Sequence, residues 1–174
     1  MRNLILIAFL GFLTSCNAQQ KETATKNKSG DLVGIANKES FADDSYKGWF
    51  NKNYDSYKPD PVTITQLKKS LKGYQIKGFM GTWCGDSKRE TPRFYKVLDE
   101  ADFNLKNLEL ITVNRSKKTP DNLQEGLDII KVPTFIIYKN NKEVGRFVER
   151  VRESLEKDIL KIVSGQDYKH FYDN

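Results

Sequence analysis

Apolar positions along the chain follow two rhythms, and the changes between them mark the elements. From Glu39 the aromatics Phe41, Tyr46, Trp49, Phe50, Tyr54 and Tyr57 recur at spacings of three and four, which predicts a helix with one aromatic face. Packing against a core explains that face best, and a binding stripe of exposed Tyr and Trp is its other use. Pro59-Asp60-Pro61 ends this helix, and Thr63 or Thr65 then caps a short amphipathic one through Leu67 and Leu71 to Gly73. Tyr74 to Gly81 reads as a strand, followed by a turn at Trp83-Cys84-Gly85 and a helix from Cys84 to Ala101 that carries Phe94, Val97 and Leu98 inward. Pro92 lies inside that helix, where proline kinks the chain or costs about 3 kcal/mol. Leu108 to Val113 is a buried strand, Asn122 to Ile129 a helix, and Phe135 to Tyr138 a short apolar strand. Asn140-Asn141-Lys142 turns that strand into Val144 to Val148. A last helix, Ser154 to Val163, sets Leu155, Ile159, Ile162 and Val163 on one face and stops at Gly165. This order makes a mixed sheet flanked by helices, an α/β class.

The front of the chain follows neither rhythm. Arg2 precedes an apolar run from Leu4 to Leu13, too short to span a bilayer as a stable helix, and small residues follow it. Residues 1–15 therefore read as an export signal. The string Leu13-Thr14-Ser15-Cys16 resembles the lipobox of bacterial lipoproteins, which implies a lipid-modified Cys16, an acyl membrane anchor and a place in the cell envelope, with the domain in the periplasm. Residues 16–38 read as a flexible tether, because Asn17 to Asp31 is rich in Gln, Lys, Thr, Asn and Ser. Residues 39–73 form the N-terminal helical segment, 74–165 the main domain and 166–174 a C-terminal tail.

Composition narrows the choice of function. A chain of 174 residues holds one sizeable core with appendages, at about 100 to 200 residues per domain. The net charge of +6 is spread along the sequence, and the longest basic cluster, Arg115-Ser116-Lys117-Lys118, reads as ordinary solvated surface. No nucleic acid partner is expected, since no basic stripe interleaved with aromatics stands on a recognisable module. His170 is the one histidine and lies in the polar tail, so a Cys-His hydrolase or a multi-histidine metal site lacks its parts. No metal and no cofactor are expected.

Four pieces of sequence carry a resemblance. They are the strand before Trp83, the string Trp83-Cys84-Gly85-Asp86-Ser87-Lys88, Pro92 within the next helix, and Val132-Pro133-Thr134 ahead of an apolar strand. Together, over Tyr74 to Val163, they resemble the thioredoxin superfamily. The resemblance implies a three-layer α/β/α sandwich with a mixed parallel and antiparallel sheet. It also implies that Cys84 is the nucleophile, held at a helix start that favours its thiolate. Trp83 resembles the flanking aromatic that faces partners, with Gly85 and Asp86 completing the contact surface. Pro133 is similar to the family's cis proline, and the backbone of Val132 would pair with an extended substrate.

Two departures shape the functional reading. Ser87 stands where the family's motif has a second cysteine, so the site reads Cys-Gly-Asp-Ser and Cys84 has no resolving thiol beside it. Gly78 stands where thioredoxins commonly bury an acid that assists proton transfer. Asp86 adds a charge that opposes the thiolate, whereas the helix dipole and a Ser87 hydroxyl donor favour it. The expected function is single-thiol exchange with protein or small thiols and disulfides, Cys84 and Ser87 forming the reactive site and an external thiol completing the cycle. The alternative is a binding module that keeps the groove for partner recognition without catalysis.

Overall fold

The computed structural model describes residues 23–173. The export signal and Cys16 lie outside the described residues. Six strands, β1 (Thr25–Lys26), β2 (Leu32–Ala36), β3 (Tyr74–Met80), β4 (Leu108–Thr112), β5 (Thr134–Lys139) and β6 (Lys142–Val148), form one sheet in the order β1-β2-β4-β3-β5-β6. β3 pairs parallel with β4 and antiparallel with β5. The other pairings are antiparallel, so the mixed α/β sheet expected from the element order is present. Four helices accompany it: α1 (Asp44–Ser56), α2 (Pro61–Ser70), α3 (Gly85–Glu100) and α4 (Leu155–Val163).

Alternation along β3 divides the interior in two. Tyr74, Ile76 and Met80 join Leu110, Phe135 and Ile137 on one face, beneath apolar side chains from all four helices. Phe79, Ile111, Val113 and Ile136 occupy the opposite face, covered by Val132, Leu123, Leu127 and Ile129. The aromatic face of α1 belongs to the first core: Phe41, Tyr46 and Phe50 are buried, with the Phe41 and Phe50 rings stacked 5.0 Å apart and Phe50 against Tyr95 of α3 at 5.8 Å. Packing is therefore the use of that stripe.

The structure corrects four expectations. The stretch read as a tether up to residue 38 enters the sheet instead: Leu32, Val33 and Ala36 are buried and β2 pairs with β4, Ile35 opposite Ile111. Five residues suffice for a strand when a formed sheet supplies the partner. Gly34 (φ 127°) lets Ala24 approach, since a Cβ there would stand 2.9 Å from Ala24 Cα. At α2 the cap is Asp60 rather than a threonine: its carboxylate accepts from the Thr63 backbone N–H at 2.8 Å and the Thr63 hydroxyl at 2.6 Å, with Pro61 opening the helix.

The segment Asn122 to Ile129 is not helical. Asn122, Gly126 and Asp128 take positive φ, and Thr119 Oγ1 accepts from Leu123 N at 2.9 Å, a side-chain bond that competes with helix formation. This turn-rich cover is the layer on the second face. Finally, His170 is not a freely solvated tail residue. Its Nδ1 accepts from Tyr172 N at 3.1 Å, burial lowers its pKa, and Arg152 donates to the His170 carbonyl at 3.0 Å.

A buried latch ties the α1–α2 linker to α4. The Tyr57 hydroxyl donates to Glu156 Oε2 at 2.5 Å, and Asp60 N donates to Glu156 Oε1 at 3.1 Å. Burial opposes the Glu156 charge, but the Tyr57 phenol and backbone N–H groups outweigh it and hold its pKa below the ordinary value. Burial and then Glu156 push the Tyr57 phenol up. A carboxylate with a lowered folded-state pKa stabilises the fold above its unfolded pKa and loses that contribution as pH falls. A phenol with a raised one stabilises below its unfolded pKa and loses the contribution as pH rises. Glu156→Gln is therefore expected to cost about 1–3 kcal/mol at neutral pH and to flatten the loss of stability below the ordinary glutamate range. Urea midpoints measured across pH check it; parallel acid limbs for wild type and variant would contradict the latch.

Candidate active site at Cys84

Cys84 stands where β3 gives way to α3. Its backbone N–H donates to Gly81 O at 2.9 Å, closing the turn, and its carbonyl accepts from Lys88 N at 3.0 Å, opening the helix. It is thus the N-cap residue, with extended φ and ψ (−88°, 128°). Its side chain makes no capping bond. The thiol instead donates to Val132 O at 3.3 Å, half-buried at the mouth of α3. Helix N-termini carry partial positive charge, and the sulfur stands at that of α3.

The Val132–Pro133 peptide is cis. The loop is tied down on both sides: Thr134 Oγ1 donates to Lys131 O at 2.8 Å, and Glu149 N to Pro133 O at 2.7 Å. The structure therefore brings Cys84, Val132 and Pro133 together, although 48 residues separate the sulfur from its acceptor.

Trp83 forms the opposite flank. Its indole N–H donates to Val113 O at 2.9 Å, and its ring lies so close over Gly81 that a Cβ there would stand 2.5 Å from Trp83 Cε2. Gly81 is needed for that approach. Gly85 is exposed as the first residue of α3. Asp86, next along, binds Arg89 (2.7 Å), which also donates to the buried Glu90 at 2.6 Å. The negative charge beside Cys84 is thus matched by a guanidinium one turn on. Arg89 was not singled out from sequence, though its spacing of three from Asp86 is the signal that finds it.

Ser87 is fully buried, and its Oγ accepts from Gly81 N at 3.2 Å. Its hydroxyl oxygen is engaged by the turn, so the structure places it behind the cysteine. At Gly78 a Cβ would meet Leu110 Cδ1 at 2.9 Å and Phe135 Cδ1 at 3.0 Å. Phe135 is fixed there by a 3.8 Å stack on Phe94. The space that an acid would need is filled by apolar side chains.

The thioredoxin family model matches residues 65–161, which hold β3, Cys84 and the cis-proline loop. The chain belongs to the thioredoxin family. It is 30% identical over 97 residues to a thioredoxin-like protein of Acanthamoeba polyphaga mimivirus, covering 56% of this chain and 68% of that one. Identity to thioredoxin of Gallus gallus is 26% over 98 residues, covering 56% of this chain and 88% of that one. Among solved structures, a Pseudomonas aeruginosa protein of unknown function superposes with a TM-score of 0.58 at 17% identity, over 75% of this chain and 93% of that one. That likeness concerns the fold alone. The thioredoxin match starts inside α2, so β1, β2 and α1 lie outside the matched region.

Among the described residues no group of three or more His, Cys, Asp or Glu is placed to hold a metal ion. No described helix is long and apolar enough to cross a membrane. The chemistry these residues offer is that of one half-buried thiol at a helix start. Replacing Gly78 by Asp tests the closed space behind it. Because Leu110 and Phe135 occupy that volume, the variant is expected to lose about 3 kcal/mol or more of stability, with no faster alkylation of Cys84. Thermal unfolding with iodoacetamide kinetics reads both; a stable, faster-reacting variant would refute it.

Proposed function

We propose that this protein is a single-thiol exchange protein in which Cys84 attacks a substrate disulfide. The carrying observation is the sulfur itself, half-buried at the N-cap of α3 and 3.3 Å from the Val132 carbonyl beside a cis proline, with serine three residues on. The Cys84 thiolate attacks one substrate sulfur; a Cys84–substrate S–S bond forms as the substrate S–S bond breaks, and the electron pair leaves on the second substrate sulfur, which takes up a proton. An external thiol then attacks the mixed disulfide, becomes bonded to the substrate sulfur and returns Cys84 as thiolate. The external thiol supplies what a second cysteine at position 87 would have supplied.

In this reading Trp83, Gly85 and Asp86 form the surface that meets the substrate, and the Val132–Pro133 backbone pairs with its extended segment. Residues 1–15 direct export, and a lipid at Cys16 anchors the chain in the cell envelope, where disulfides persist; the support is the run Leu4 to Leu13 followed by Leu13-Thr14-Ser15-Cys16. Mass spectrometry of the protein from a membrane fraction is expected to show a diacylglyceryl-modified Cys16 as the first residue. An unmodified, uncleaved Cys16 would end the anchoring part of the reading and leave the exchange part standing.

A binding-only role has one observation on its side, the closure of the Gly78 space by Leu110 and Phe135, which leaves the thiol without the family's usual buried acid. Disulfide reduction in the presence of an external thiol separates the two. Wild type is expected to exceed Cys84→Ala by at least about tenfold, and mixed disulfides at Cys84 should accumulate when the external thiol is withheld. Equal rates and no mixed disulfide would leave only the binding role.

A further inference from the structure

The charges around Cys84 are sorted by segment. Each acid packed closest to the site has a cation of its own: Asp86 binds Arg89 at 2.7 Å, Asp31 lies 3.7 Å from Arg115, and Glu149 lies 4.0 Å from Lys131 and 3.7 Å from Arg150. The reverse is not true. Lys88 on the first turn of α3, and Lys117 and Lys118 beyond β4, enter no ion pair among the described residues. Asp121, Glu125 and Asp128 of the turn-rich cover likewise enter no ion pair among the described residues, but none of them lies within the turn from Asn114 to Lys118.

The two lysines after β4 are held in place. Asn114 Oδ1 accepts from Ser116 N at 2.9 Å and from Lys118 N at 3.0 Å, Asn114 N donates to Lys118 O at 3.1 Å, and Lys117 N donates to Asn114 O at 2.8 Å. This turn begins one residue after Val113, whose carbonyl holds the Trp83 indole. Arg115 leans over the Trp83 ring, 5.8 Å from its centroid, with most of its side chain exposed. A basic turn is thereby fixed beside the aromatic flank of the reactive thiol. Lys131, which shares Glu149 with Arg150, stands on the other side, immediately before the Val132 carbonyl that faces the sulfur.

We propose that Cys84 reacts preferentially with cysteines and disulfides set in acidic peptide segments, and that the turn from Asn114 to Lys118 selects them. The inference rests on the exchange reading above and names the substrate class of that same site. Fixed cations beside a reactive centre raise the encounter rate of oppositely charged partners, and the effect is screened by salt. A substrate lying along the Val132 backbone passes between Lys131 and this turn, so acidic residues flanking its cysteine meet positive charge on both sides.

Three synthetic peptides test it, each with one cysteine activated as a 2-pyridyl disulfide and flanked by glutamates, by serines or by lysines. In each, the Cys84 thiolate attacks the peptide sulfur; the Cys84–peptide bond forms, the peptide–pyridyl S–S bond breaks, and the electron pair leaves on pyridine-2-thiolate. That ion takes up a proton from water and is read by absorbance as pyridine-2-thione. At low salt the glutamate peptide is expected to react about tenfold faster than the lysine peptide, with the serine peptide between, and the ratio should fall to about twofold in molar salt.

Lys117→Asn with Lys118→Gln should reduce the low-salt ratio to about threefold; asparagine tolerates the positive φ of position 117 (58°). Lys72→Ser with Lys142→Ser removes the same charge at the far end of the sheet, before β3 and at the start of β6, and should leave the ratio as in wild type. Equal rates for the glutamate and lysine peptides, a ratio insensitive to salt, or equal effects of the two double variants would each overturn the charge preference. The wild-type salt series decides even if the turn variant fails to fold. Inertness of Cys84 toward all three peptides, the serine one included, would instead remove the exchange reading and this inference with it.

Discussion

The parallel pairing of β3 with β4 is the constraint on which the site depends. The ladder runs from Ile76 opposite Leu108 to Met80 opposite Thr112 and is closed by Val113 N donating to Met80 O at 2.8 Å. It makes two chain ends leave the sheet side by side. One turns into α3 through Trp83 and Cys84; the other leaves the Val113 carbonyl free to take the Trp83 indole. Antiparallel β5 on the other side of β3 starts at Thr134, so the residues just before it arrive at the same end of the sheet. The Val132 carbonyl meets the Cys84 sulfur there because three strands end together. Burial of Phe79, Ile111 and Ile136, each with no exposed surface, holds those ends in register.

The legibility of this site in the sequence follows from how its parts are encoded. Trp83, Cys84 and Pro133 are marked by their side chains in two short strings, so reading the strings found them and, beside the proline, the backbone of Val132. The Val113 carbonyl could not be found that way, because any residue supplies a carbonyl and only the ladder says which one points at the indole. Arg115 and Lys117 were legible as a basic cluster but not as neighbours of Trp83, which is a fact of strand order. The helix expected over Asn122 to Ile129 does not form, although Leu123 and Leu127 stand four apart. Those leucines do cover the sheet, but from turns, since Asn122, Gly126 and Asp128 adopt left-handed conformations that no helix contains.

The N-terminal strands show the same limit from the other side. Residues 32–36 are too short an apolar run to stand out of a polar stretch, yet β2 needs little from its own sequence when β4 is already formed. Its attachment reaches the site as well: Leu32 N donates to Thr82 Oγ1 at 3.0 Å, and Asp31 lies beside Arg115. The strand that looked like the end of a tether thus braces the turn carrying Trp83 from behind.

Serine at position 87 fits this bracing. Its hydroxyl oxygen accepts the Gly81 N–H at 3.2 Å in a fully buried setting, where a donor left without an acceptor costs about 1–3 kcal/mol. Sulfur is a weak acceptor, so a cysteine in the same place would satisfy that N–H poorly. The turn from Gly81 to Cys84 is already tight, with the Trp83 ring pressed on Gly81 and the Cys84 N–H closing on the Gly81 carbonyl. Within the single-thiol reading, the residue that gives up the resolving sulfur therefore stiffens the peptide that presents the reacting one. The same exchange appears behind the strand, where the Gly78 space holds Leu110 and Phe135 instead of an acid. Both departures serve the fold, Ser87 in the turn that presents Cys84 and Gly78 in the first core, and within the single-thiol reading they shift the later steps of an exchange onto groups that arrive from outside.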